Sequence, residues 1–263
     1  MSNLLNCLKS TGEVDGALAT STSNLPRGPH YWTNRNRHRL YARAWLPRSA
    51  AATKGVIAWV HGYGGHINRP HLAQMSNALA SHGFAVVGYD HEGHGYSEGE
   101  HVYIENYKSL VDDFLQFLAT LLDSGRHHTL TTPSVFKATL LSAAQPGLVG
   151  LVPAGFDLSR VPLFIAGESM GGALALHISQ RLSAVAADSH PHPSAARFRG
   201  AILSAPMIHM NLPPAPVVWL LKNAVAPLLP HTCMPACLDA GYFPEKIWAT
   251  EEMREQAAAD QWG

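Results

Sequence analysis

The stretch Gly167-Glu168-Ser169-Met170-Gly171-Gly172 decides how this chain of 263 residues is read. It follows the apolar run Val161-Pro162-Leu163-Phe164-Ile165-Ala166. It precedes Ala173-Leu174-Ala175-Leu176-His177-Ile178, whose small and apolar residues open a helix. Strand, Gly-x-Ser-x-Gly, helix is the pattern of a nucleophile elbow, a sharp turn that strains the serine backbone and lifts its hydroxyl above a sheet. Gly167 and Gly171 leave room for strand and helix to approach, and the amide of Met170 sits at a helix N-terminus, where it can meet a developing oxyanion. Ser169 is the candidate nucleophile.

A second segment agrees with the first. Lys54-Gly55-Val56-Ile57-Ala58-Trp59-Val60 reads as a buried strand and runs directly into His61-Gly62-Tyr63-Gly64-Gly65-His66. Acyl transfer needs a second backbone N–H for the oxyanion, and a His-Gly-rich loop after an early strand supplies it, with the Tyr63 amide as candidate. A dinucleotide fingerprint competes for this segment, because Gly62-x-Gly64 follows a strand and Asp90 ends the next strand, where a ribose-binding acid would sit. The third glycine of that fingerprint falls on Ile67, and the reading leaves Ser169 unexplained.

Together with Tyr89-Asp90-His91-Glu92-Gly93-His94-Gly95-Tyr96-Ser97-Glu98-Gly99, these segments resemble the monoacylglycerol lipase and lysophospholipase branch of the α/β-hydrolases. The likeness covers about residues 30 to 125 and 160 to 250 in order and spacing. It implies an α/β fold with a mostly parallel sheet, helices on both faces and a cap. It also implies Ser169 as nucleophile, Tyr63 and Met170 as oxyanion-hole amides, and an apolar tunnel for one acyl chain. His91-Glu92-Gly93-His94 also looks like part of a zinc motif. The two histidines stand three apart in a glycine-broken turn, however, whereas a metalloprotease helix needs them four apart, so the segment reads as a turn supporting the elbow loop.

The whole chain sets bounds. Its length suits one large α/β domain, and 46% hydrophobic residues suffice for a core. Lys+Arg equals Asp+Glu, 19 each, which argues against a nucleic-acid partner and gives no polybasic membrane signal. Cys7, Cys233 and Cys237 are too few for a disulfide framework, and Cys233 and Cys237 read as two buried small residues, with a place near the cap and the acyl site as the alternative. No metal or organic cofactor is expected. The polar N-terminus has no signal-peptide core, no long apolar span appears, and cytoplasmic residence is the default.

Residues 1–29, polar and rich in Ser, Thr and Asn, read as a flexible tail, and 30–205 as the hydrolase core. Within the core, 31–46 read as a hairpin, 70–82 as a helix, 84–89 as a buried strand, 104–123 as an amphipathic helix and 199–205 as a strand. Residues 125–160 are far longer than the about 2–6 residues such a link usually needs, and read as a surface insertion or a lid. Residues 187–198 read as a second loop insertion. Residues 206–263 read as a cap region, whose apolar stretch Leu212 to Leu221 either packs on the core or touches lipid at a membrane surface.

A serine needs a histidine to take its proton and an acid to orient that histidine, and in this architecture the order is Ser, acid, His. After Ser169 come His177, His190, His192, His209 and His231, with Asp188, Asp239 and Asp260. None has the setting of a triad acid or histidine: His177 lies on the helix after the elbow, His209 and His231 flank the cap segment, and no histidine follows Asp239 or Asp260. The resemblance implies about two further βα units carrying both residues, so the sequence leads us to expect a shortened hydrolase ending before the late strands, poorly stable and nearly inactive alone. Function therefore reads as hydrolysis of monoacylglycerol-like esters. A lysophospholipase, a general carboxylesterase and a non-catalytic hydrolase-like scaffold remain as alternatives.

Overall fold

The computed structural model describes residues 30–123, 148, 150–153, 155–186, 193–209, 212–229, 231 and 250–259. The tail 1–29, residues 124–147, all three cysteines, His190, His192, Asp188, Asp239 and Asp260 lie outside the described residues. The chain divides into two compact units, one built on 29–208 and the other on 209–259.

The first unit is a six-stranded sheet. Its strands are β1 (His30–Thr33), β2 (Arg39–Trp45), β3 (Gly55–Val60), β4 (Phe84–Tyr89), β5 (Leu163–Glu168) and β6 (Phe198–Ser204), in the spatial order β1-β2-β4-β3-β5-β6. β1 and β2 form the antiparallel hairpin, β2 pairs antiparallel with β4, and β4, β3, β5 and β6 run parallel. Helix α1 (Pro70–Ser81) crosses from β3 to β4, α2 (Tyr107–Asp123) follows β4, α3 (Met170–Ala186) follows β5, and the short α4 (Pro193–Arg197) leads into β6. The stretch 187–198, expected as a loop, thus ends in a helical turn whose Ser194 and Ala195 are buried.

β3 reads as an unbroken apolar run because both its faces are covered. Val56, Ala58 and Val60 join a core with Trp32, Phe114, Phe117, Leu174 and Ile178, while Ile57 and Trp59 face Tyr41, Trp45 and Leu72 in a second core. Each buried Val, Leu, Ile or Phe among them is worth roughly 1.5–3 kcal/mol relative to exposure. Pro70 opens α1, where its missing N–H and fixed φ cost nothing. The described end of the 125–160 segment corrects the expectation of a surface insertion: Leu148, Leu151 and Leu158 are buried in the first core. A short 3₁₀ turn, Leu158–Arg160, follows there, capped by the Asp157 carboxylate, which accepts from the Ser159 amide at 3.0 Å.

The second unit contains Ala215–Leu220, a π turn at Leu221–Val225 and Ala226–Leu228 in one helical run, then the helix Glu251–Ala258. Leu212, Trp219, Leu220, Leu228 and Leu229 are exposed. No helix among the described residues is long and apolar enough to cross a membrane.

Candidate active site

Strand order locates the site before any side chain is considered. From β3 the chain goes to β4 on one side, then jumps back past β3 to β5 on the other. Loops leaving β3 and β5 therefore part at their C-terminal ends, the topological switch point at which open α/β sheets receive ligands. Val60 pairs with Gly167 across this point, so the His-Gly loop and the elbow emerge side by side.

Ser169 is exposed at the turn between β5 and α3, with φ at +52°. A serine in the left-handed region costs about 1–3 kcal/mol and persists only when its surroundings over-determine it. Here they do: its N–H donates to Ser204 O at 3.0 Å, and its carbonyl accepts from the amides of Gly172 at 3.0 Å and Met207 at 2.9 Å. Gly171 must lack a side chain, since a Cβ there would collide with the carbonyls of Val60 and His61. Met170 is the first residue of α3 and is buried, so its amide lies in the first helical turn, where no intrahelical acceptor exists.

The loop after β3 closes on this turn. A Cβ on Gly62 would lie 3.3 Å from Ser169 Cβ. Gly62 O accepts from the Gly65 amide at 3.1 Å and from His61 Nδ1 at 2.8 Å. The Tyr63 side chain is 61% exposed and meets the His94 ring edge-on at 5.9 Å, so only its backbone can belong to the site's fixed frame.

The loop after β4 supports the first one. The Asp90 carboxylate, fully buried, accepts from the amides of Ile67 at 2.6 Å and Tyr96 at 2.9 Å, so it ties loops together and is not presented to a ribose. The His91 amide donates to His61 Nε2 at 2.9 Å. Burial, then the neighbouring His94, depress the His91 imidazole to about 3, and burial likewise holds His61 well below the ordinary histidine range. His91 and His94 stand with ring centroids 6.2 Å apart, and among the described residues no three His, Cys, Asp or Glu side chains are grouped to hold a metal ion. Glu92 turns the other way, accepting from Asn34 and Asn36 and pairing with His38 at 3.0 Å.

Among the described residues Ser169 Oγ has no hydrogen-bond partner. His177 lies on α3 with its ring 5.4 Å from that of Tyr107 on α2, beside a cavity of about 290 Å³ that shares no residue with the elbow or the His-Gly loop. His209 and His231 are exposed. Sequence reasoning missed two groups that hold the segments flanking the serine. One is His71 on α1, whose Nε2 lies 3.2 Å from Glu168 Oε2. The other is the buried His61 ring; its only sequence signal is a histidine directly after a fully apolar strand.

A family model described as serine aminopeptidase, S33, matches residues 51–135 and 154–262. A monoglyceride lipase of Rattus norvegicus is 29% identical over 184 residues, 70% of this chain and 44% of the relative. The monoglyceride lipase of Homo sapiens is 27% identical over 183 residues, with the same two shares. The chain thus spans less than half the length of these relatives. Among solved structures, a soluble variant of monoglyceride lipase from Saccharomyces cerevisiae, in complex with a substrate analogue, aligns with a TM-score of 0.55 at 17% identity, covering 92% of this chain and 63% of that one. The Paleococcus ferrophilus monoacylglycerol lipase aligns with a TM-score of 0.51 at 16% identity, covering 85% and 63%. The fold is that of the α/β-hydrolases.

Proposed function

The chain belongs to the serine aminopeptidase S33 family of hydrolases, and on that premise we propose that it acts on carboxylic esters of the monoacylglycerol type, with Ser169 as nucleophile. The observation that carries this reading is the +52° φ of an exposed Ser169 held at the topological switch point. Strain of that kind is retained where a side chain must be presented to a substrate. Ser169 Oγ would attack the ester carbonyl carbon, and the carbonyl oxygen would become an oxyanion facing the amides of Tyr63 and Met170. Collapse would expel the glycerol alcohol, and water would then release the fatty acid from the acyl-serine. The base that takes the serine proton is not among the described residues. The names of the rat and human relatives support a lipid ester as substrate. Exposed Leu212, Trp219, Leu228 and Leu229 support peripheral contact with lipid through the second unit.

The test is covalent labelling by a fluorophosphonate, followed by peptide mass mapping, with release of fatty acid from a monoacylglycerol and from a lysophosphatidylcholine measured alongside. Label is expected on Ser169 and absent from S169A, with the monoacylglycerol preferred. Label elsewhere, or hydrolysis unchanged in S169A, would sink the proposal. One observation favours a second reading, a hydrolase-like binding scaffold: Ser169 Oγ lacks a histidine partner among the described residues. Binding of the monoacylglycerol with no label on Ser169 and no hydrolysis would select it.

A further inference from the structure

The Gly62–Tyr63 peptide carries the carbonyl of one residue and the N–H of the next on a single rigid plane. In a trans peptide the two point in opposite directions, and no cis peptide occurs among the described residues. Whatever holds Gly62 O therefore aims the Tyr63 amide. Two donors hold it, the Gly65 N–H at 3.1 Å and the His61 side chain at 2.8 Å.

The His61 ring is itself fixed. It is fully buried, and its Nε2 receives the His91 N–H at 2.9 Å. A nitrogen that accepts carries no proton, so the proton of the neutral ring resides on Nδ1, where it donates to Gly62 O. The rings of His91 and His94 close the imidazole in, with centroids at 4.2 and 5.4 Å. Its backbone is pinned as well, because Gly171 of the elbow packs on the His61 carbonyl. One residue thus connects three parts of the site: its ring joins the loop after β4 to the peptide before Tyr63, and its carbonyl packs on the turn carrying Ser169.

We infer that His61 is a positioning residue that aims the Tyr63 amide toward the oxygen site beside Ser169. The inference rests on the reading of Tyr63 as an oxyanion donor. A ring that merely filled volume would not need both nitrogens engaged. The doubly held carbonyl blocks the peptide flip that would turn the Tyr63 N–H away and present a carbonyl in its place.

Three substitutions in the full chain test this. His61→Leu fills the space with neither bond. His61→Gln can reach the His91 amide but offers no donor to Gly62 O, whereas His61→Asn places an amide NH₂ near Nδ1 and abandons His91. The readouts are the ¹H–¹⁵N position of the Tyr63 amide, the rate of Ser169 modification by a fluorophosphonate followed by intact mass, and the thermal midpoint. Leu and Gln are expected to move the Tyr63 amide and to slow labelling by about a hundredfold, the cost of one oxyanion donor, and Asn to recover about tenfold of that loss. Equal slowing by Asn and Gln, or a rate that tracks the thermal midpoint across the variants, would overturn the inference, and the Asn–Gln pair decides it even where Leu does not fold. An unmoved Tyr63 amide in Gln overturns the positioning whatever the rate does. An amide that moves as expected with an unchanged labelling rate keeps the positioning and overturns Tyr63 as the donor.

Discussion

Asp113 on α2 gives the sharpest quantitative test of the structure. Its side chain is buried and accepts from Asn34 Nδ2 at 2.9 Å. Burial pushes its carboxyl up to about 7, opposed by the Asn34 bond and reinforced by Glu92. The folded state thus keeps a proton that the unfolded chain releases near pH 4, so it binds more protons throughout the window between. Stability must fall as pH rises through that window: the penalty is absent below pH 4 and complete above pH 7. A rise from 3.8 to about 7 corresponds to about 4 kcal/mol. Asp113→Asn retains an oxygen for Asn34 and has no charge to bury. Urea unfolding of both proteins from pH 4 to pH 8 should give curves that meet near pH 4. They should then diverge, with the variant more stable by about 4 kcal/mol at pH 8. Comparing the pair cancels the other titrating groups, including the buried histidines. A difference that stays constant with pH, or a variant less stable at pH 8, would refute the reasoning.

Three further outcomes are expected. Gly171→Ala, forced against the Val60 and His61 carbonyls, should destabilise by about 1–3 kcal/mol and slow labelling of Ser169, as read by urea unfolding and intact mass. Ser169→Gly should be more stable than Ser169→Ala by about 1 kcal/mol, because the position demands a left-handed backbone that only glycine adopts freely; thermal melts of the two variants decide it. His91, held near 3 by burial, must stay neutral in the fold, so its contribution is present above pH 6.5 and lost as pH falls from 6.5 toward 3. His91→Phe should flatten that acid limb in urea unfolding without changing stability at pH 8 by more than about 1 kcal/mol.

The sheet was legible because its signals are local. β3, β4 and β5 are short apolar runs between glycines and polar residues, and α2 repeats its buried Leu110, Val111, Phe114, Leu115, Phe117 and Leu118 at helical spacing. The elbow was legible for the same reason, since a turn this tight dictates its own residues. What escaped depends on pairings far apart in sequence. Asn34 meets Asp113 across 79 positions and His71 meets Glu168 across 97, and no window on the chain carries either. Leu148, Leu151 and Leu158 escaped because isolated leucines among Pro and Gly have no period, and tertiary burial alone makes them core. His61 was visible as a residue type but not as a device, because Gly62 O is its neighbour but the His91 amide comes from the loop after β4, which only strand order brings beside it.

The loops around Ser169 are tied by buried polar groups, where apolar packing would give more stability, and this has a physical reason. Dispersion and hydrophobic burial have no direction; they hold a loop in place without fixing which way a peptide plane faces. An oxyanion hole works only if its amides already point at the charge before it develops. Orientation has to come from directional contacts, and low dielectric makes them stiff as well as costly to leave unmade. The buried Asp90 carboxylate spends its charge on the amides of Ile67 and Tyr96, one in each of the two loops. The Ser97 hydroxyl closes on Asp90 O, and His61 spans from the His91 amide to Gly62 O. Each bond ends on backbone, so each fixes a peptide rather than a side chain. The glycines between them, Gly62, Gly64, Gly65, Gly93 and Gly95, would otherwise leave this segment the least determined part of the sheet's upper edge.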